Sequence, residues 1–119
     1  MRTITLLLAA ATLAGAQTKV GTLDRTKVLV AFYRSTTWKQ TLQTGDRRTA
    51  TRLERWGREQ QELAHRQLAG KAPLDNILAV LQPRLQNLAH SAWVAEIREK
   101  AKPGEEAVDV TDRILEVLK

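Results

Sequence analysis

The chain has 119 residues, 19 of them Lys or Arg and 13 Asp or Glu, giving a net charge of +6 with histidine neutral. It contains no cysteine, which excludes disulfides, thiolate metal sites and a lipoprotein leader. A basic chain suits anionic lipid, lipopolysaccharide or acidic polypeptide as partner, and the charge alone does not choose among them.

Residues 1–16 have the form of a secretory signal. Arg2 supplies the positive start, residues 4–13 are an apolar run too short to span a bilayer, and Ala14-Gly15-Ala16 is a small-x-small cleavage site. The mature chain is expected to start at Gln17. Loss of Arg2 leaves 18 basic against 13 acidic side chains, a charge of +5. The remaining 103 residues suit one domain. No later stretch is long and apolar enough to cross a membrane, so the expected product is exported and soluble. An exported domain of this size without disulfides needs another source of stability, and oligomerisation is the obvious route.

Residues 18–24 alternate loosely and predict a short strand ending at Asp24. The Asp24 carboxylate is placed to cap a helix over residues 26–33, with Val28, Leu29, Phe32 and Tyr33 on one side. Ser35-Thr36-Thr37 is the next start signal. From Trp38 a polar, basic helical pattern runs to Leu68, with Leu42, Thr49, Leu53, Trp56 and Leu63 on its narrow stripe. Thr44-Gly45 interrupts it; glycine inside a helix costs about 1 kcal/mol relative to alanine. Arg55 with Glu59 and Arg58 with Glu62 are spaced to support one another. One thin stripe with charge all round is the pattern of a coiled-coil arm.

Gly70 fits a left-handed residue after a helix end, and Pro73 can open the next helix. Leu74, Ile77, Leu78, Leu81, Leu85, Leu88 and Ala92 then repeat at three-or-four spacing. Pro83 deletes the N–H that would bond Ala79, so a kink or a break is expected near Leu81-Gln82. Residues 92–97 read as a strand, Lys102-Pro103-Gly104 as a turn and residues 107–110 as a second extended piece. Thr111 is expected to cap a final helix over residues 112–118, with Asp112 in its first turn.

The expected fold is α+β and mostly helical. Residues 17–34 and 92–119 form a small sheet base with a short C-terminal helix. Residues 35–91 form a protruding antiparallel helical hairpin that turns near Gly70-Lys71-Ala72-Pro73. Such a shape suits gripping or spacing better than catalysis. His65 and His90 fall on different arms, without the four-ligand spacing a zinc site needs. Glu105, Glu106, Asp109 and Asp112 lack the loop spacing of a calcium site and read as turn and cap residues. No glycine-rich phosphate loop or nucleophile motif is present. The expectation is a non-enzyme with no cofactor and no metal.

Two stretches carry a family resemblance. Lys19-Val20-Gly21-Thr22-Leu23-Asp24-Arg25-Thr26-Lys27-Val28-Leu29 resembles the opening of the mature Skp/OmpH family of periplasmic chaperones. Val108-Asp109-Val110-Thr111-Asp112-Arg113-Ile114-Leu115 is similar to that family's closing Val-Asp-(Ile/Val)-Thr-Asp helix. The chain departs from the pattern in having shorter arms, Pro83 within one of them, and polar residues 100–106 where the family usually places a further apolar strand. The resemblance implies an ATP-independent holdase of the periplasm, trimeric through a small β-body, whose arms surround unfolded outer-membrane or envelope proteins. On this chain the client-contact candidates are Trp38, Arg47, Arg48, Arg52, Arg55, Trp56 and Arg58. Two rivals stand beside it. One is an envelope structural or adaptor protein with the same fold. The other is a cationic surface binder of lipid or nucleic acid, with nucleic acid the less expected for an exported protein.

Overall fold

The computed structural model describes residues 18–119; the leader read over residues 1–16 lies outside them. The fold is mostly helical α+β. The described residues form, in order, strand β1 (Lys19–Thr22), helices α1 (Arg25–Phe32), α2 (Thr36–Gln43), α3 (Arg47–His65), α4 (Lys71–Val80) and α5 (Gln82–Ser91), strand β2 (Glu106–Asp109) and helix α6 (Thr111–Val117). Among them no helix is long and apolar enough to cross a membrane.

The base joins the two ends of the chain. β1 and β2 pair in parallel, with Val20 opposite Ala107 and Thr22 opposite Asp109. On the other side of β1, Gly21 donates to Glu96 O at 2.8 Å and accepts from Arg98 N at 2.8 Å. Residues 95–98 therefore run beside β1, bridged through Gly21 and Ile97. A side chain at Gly21 would meet Ile97 and Val110 at 3.0 Å, so only glycine lets the layers close so tightly. The strand expected over residues 92–97 does not form; a single bridge at Ile97 takes its place. Ala92 ends α5, and Trp93 turns the chain with φ 60°. Trp93 N–H bonds His90 O and Val94 N–H bonds Ala89 O, the paired bonds that close a helix through a left-handed residue.

The helix starts follow their caps. Asp24 accepts from Lys27 N–H, Ser35 from Trp38 N–H and Asp46 from Thr49 N–H. At α6 the expected Thr111 cap is replaced by Asp109, whose carboxylate accepts both the Thr111 N–H at 2.9 Å and its hydroxyl at 2.6 Å. The Thr111 hydroxyl accepts from Asp24 N–H at 3.0 Å instead. Thr111 thus ties the start of α6 to the start of α1. Asp112 does lie in the first turn of α6.

The helical pairing differs from the expected 35–91 hairpin. α1 and α2 run one after the other along α3, in the opposite direction. Thr26 meets Ala64, Arg34 meets Gln61, Tyr33 meets Trp56, and Trp38 lies over Gly57. The tip is Thr44-Gly45-Asp46, where the pattern is interrupted, and not Gly70–Pro73. Gly70 is extended at φ −77°, and the left-handed residue after α3 is Gln67 at φ 60°. α4 leads back across the other side of α1. Pro83 produces the break: α4 stops at Val80, and α5 begins at Gln82 with Pro83 in its first turn.

α1 is therefore a central helix, contacted by α3, α4 and α6. That explains its apolar, β-branched sequence: Val28, Leu29 and Phe32 are buried, and Val30 and Ala31 pack at the margin. Leu74, Ile77, Leu81 and Ile114 are fully buried in the same cluster, each contributing about 1.5–3 kcal/mol over exposure. Gly57 costs α3 helix propensity but admits the Trp38 ring. A Cβ there would lie 2.9 Å from Trp38 Nε1 and 3.3 Å from Tyr33 Cδ1.

Two arginines, through three ion pairs, hold the segment around residues 96–105. Arg25 forks onto Glu99 and also donates to Ala69 O. Arg98 forks onto Glu105 and reaches Glu96. The Arg98 guanidinium, with the Lys102 N–H, holds the Glu105 carboxyl at a pKa of about 2 against an ordinary 4.5. Arg25 lowers that of Glu99, and the Thr111 hydroxyl and N–H lower that of Asp109.

Two outcomes follow. Gly57→Val overpacks the Trp38 contact and should cost about 1–3 kcal/mol, lowering the thermal midpoint by about 4 °C or more; an unchanged midpoint would mean the contact is not tight. The depressed carboxylates contribute stability that is fully present above their unfolded pKa and is lost as they protonate. Denaturant midpoints should therefore fall as pH drops from about 4.5 towards 2, and Glu105→Gln should flatten that fall. An acid limb of the same slope in the variant would remove Glu105 from the account.

Candidate functional site

The outer half of the α2–α3 hairpin is unlike the rest of the molecule. From Lys39 to Trp56 no residue is fully buried. The seam there is Leu42, Thr49, Ala50 and Leu53, all half-buried. No third layer covers either helix, because α1 gives out at Tyr33 and α4 and α5 serve the body. Nearer the body the seam closes over Phe32, Tyr33 and Trp38, whose rings pack edge to face or tilted with centroids 4.9–5.9 Å apart. Gln60 is buried on the same seam, and its Oε1 meets no donor among the described residues.

The candidate residues separate on this scaffold. Arg47, Arg48, Arg52, Arg55 and Arg58 are all exposed on α3. None of them forms an ion pair or a side-chain hydrogen bond among the described residues, whereas Arg25, Arg34, Arg66, Arg84 and Arg98 each have a partner. The supporting pairs expected within α3 do not form: Glu62 meets Arg66 at 3.8 Å and not Arg58, and no Arg55–Glu59 contact is made. Arg47 and Arg48 stand in the first turn of α3, which holds no acidic residue of its own beyond the Asp46 cap that precedes it. The positive end of the helix dipole opposes them there. Asp46, the cap itself, has its pKa lowered by the Thr49 N–H.

The two tryptophans part company. Trp38 is only 8% exposed, taken up in the ring cluster, so it is a core residue of the hairpin root and not an offered contact. Trp56 is 41% exposed. Its indole N–H donates to the Tyr33 hydroxyl at 3.2 Å, and burial pushes the Tyr33 pKa up. Beside Trp56 an open, mostly apolar slot of about 400 Å³ is lined by Thr49, Leu53 and Trp56, with Arg52, Arg55 and Glu59 at its rim.

Trp93 was read as part of a strand, and its role at the surface was missed. It is 86% exposed in a left-handed conformation; the signal in the sequence was the absence of a glycine where α5 had to end. A concavity of about 510 Å³ lies between α4, α5 and residues 94–97. Its floor is Leu85, Ala89 and Val94, and its polar side chains Gln82, Gln86, His90 and Glu96 are all exposed. No trio of His, Asp or Glu converges among the described residues.

No family model, curated protein or solved structure matches the chain.

Three variants that each keep one tryptophan, the others changed to Phe, test this surface. Acrylamide quenching should rank Trp93 first, Trp56 second and Trp38 last. A Trp38 quenched as readily as Trp93 would mean the hairpin root is not packed as described.

Proposed function

We propose that this chain is an exported, ATP-independent chaperone-like protein of the Skp/OmpH type, holding unfolded outer-membrane or envelope proteins in the periplasm. The observation that carries it is the outer hairpin: two helices with a thin seam, five unpaired arginines and a half-open tryptophan, standing on a well-packed base. Such a surface attracts acidic or unfolded chains over long range through charge and offers apolar contact at short range. The base supports the reading in a second way. Asp24 of the opening motif and Asp109-Thr111 of the closing motif are joined directly through hydrogen bonds, so the residues that carry the resemblance form one structural unit. Nothing in the reading needs a nucleotide, a cofactor or a metal.

A second reading keeps the fold and drops the client work: an envelope structural or adaptor protein. The length of the arm favours it. α2 has 8 residues and α3 has 19, so the longer arm spans about 28 Å. One such hairpin cannot enclose a client, and a holdase of this size acts by surface or as an oligomer. A monomer in sedimentation would favour the adaptor reading.

The direct test dilutes a urea-unfolded outer-membrane barrel protein into buffer with the mature chain and follows light scattering. Suppressed aggregation is expected, weakened but not abolished between about 50 and 200 mM salt, because the apolar part of the grip does not screen. No suppression at any salt concentration would end the holdase proposal.

A further inference from the structure

The slot on α3 has more specificity than a general unfolded-chain grip requires. Thr49, Arg52, Leu53 and Trp56 fall at i, i+3, i+4 and i+7, so they form one stripe on the outer flank of the seam. The stripe lines an open, shallow depression of about 400 Å³. Its wall is fixed: Trp56 cannot turn away without breaking its bond to Tyr33, which is itself buried. The rim is polarised. Arg52 and Arg55 stand on it, with Arg48 one turn beyond Arg52 towards the tip, and all three guanidinium groups are unpaired. Glu59 closes the end nearer the body. A carboxylate is attracted at the tip end and repelled at the other.

We infer that this slot binds a short acidic–aromatic segment of a protein partner, the aromatic or large aliphatic side chain entering between Leu53 and Trp56 and the adjacent carboxylates pairing with Arg52 and Arg48. The inference rests on the proposed function and names the element that the hairpin recognises. Charge complementarity selects the occupant: guanidinium groups take carboxylates two hydrogen bonds at a time, and the Trp56 face takes apolar or cationic groups. The same features disfavour a membrane surface. Glu54 and Glu59 are interspersed with the arginines, so the face is not uniformly cationic.

The test is fluorescence anisotropy on the mature chain with a labelled twelve-residue peptide carrying one Trp or Phe flanked by three Asp. Three comparisons accompany it: the peptide with the aromatic changed to Ala, the peptide with Asp changed to Lys, and vesicles containing anionic phosphatidylglycerol. The acidic–aromatic peptide should bind at least tenfold more tightly than either altered peptide. Arg52→Glu, an exposed change that leaves the seam intact, should weaken it about tenfold. Trp56→Ala should do the same, with circular dichroism used to verify folding, while Arg113→Gln on α6 should have no effect. Equal binding of the aromatic and alanine peptides, an Arg52→Glu protein that binds as the parent does, or binding to vesicles alone would each overturn the assignment. Light scattering keeps the two proposals apart. A chain that suppresses barrel aggregation but ignores the peptide loses the slot and keeps the holdase reading. One that binds the peptide but suppresses nothing keeps the slot and loses the holdase.

Discussion

The rest of the structure depends on β1 being a central strand. Four residues from the start of the described chain are held on one side by β2 and on the other by residues 95–98. Helices α1 to α5 all lie between β1 and these partners in sequence. Parallel neighbours cannot be joined by a tight turn, so the body is itself the crossover. The Asp24–Thr111–Asp109 hydrogen bonds lock the closure where α1 and α6 start. Closing so long a loop is entropically unfavourable, though the cost rises only slowly with loop length. It is offset by burial of Val20, Leu29, Val110 and Ile114, all at most 1% exposed.

Once the base is closed, the layout of the helices follows from which of them is apolar on more than one side. α1 is, so it becomes the middle layer, with α3 on one flank, α4 on another and α6 at its foot. α3 has a single narrow stripe and can cover only one partner. It therefore follows α1 for as long as α1 lasts and then continues beside the shorter, more polar α2. The outer hairpin is what is left when a 19-residue helix outruns the core it covers.

Much of this was legible in the residues. Asp24 and Ser35 each have a side-chain acceptor directly ahead of a helical pattern, and each caps a helix, whereas the Asp46 cap lay hidden inside one continuous pattern. Pro83 marked the break between α4 and α5. That residues from the two ends of the chain share one small sheet was expected; that they run parallel was not. The hairpin's partner was not readable. Periodicity shows that a helix has an apolar stripe but not which stripe it meets, and two candidates, α1 and α4, were equally apolar. Thr44-Gly45 read as a flaw in one long arm because the cost of a mid-helix glycine and the signal of a turn look alike in sequence. The helix ends at Gln67 and Trp93 were obscured for a related reason. Both use left-handed residues without glycine, a strain that the surrounding hydrogen bonds hold and that composition does not show. In the candidate site, the arginines were legible as a charge run. Whether they were paired was a matter of geometry, as was the burial of Trp38 and not Trp56.

The unpaired arginines bear on what the arm is for. A hairpin selected for stability alone would place acids in the first turn of α3, where the helix dipole favours them, and would pair Arg55 with Glu59 and Arg58 with Glu62 at a gain of about 0.2–0.5 kcal/mol each. This hairpin does neither. It also carries a glycine, Gly57, on its seam. Those choices reduce stability in the same region and concentrate free positive charge there, while Arg25 and Arg98 in the base are fully committed to carboxylates. A division between a base that uses its charges internally and an arm that leaves them available is expected of a molecule whose arm meets something acidic.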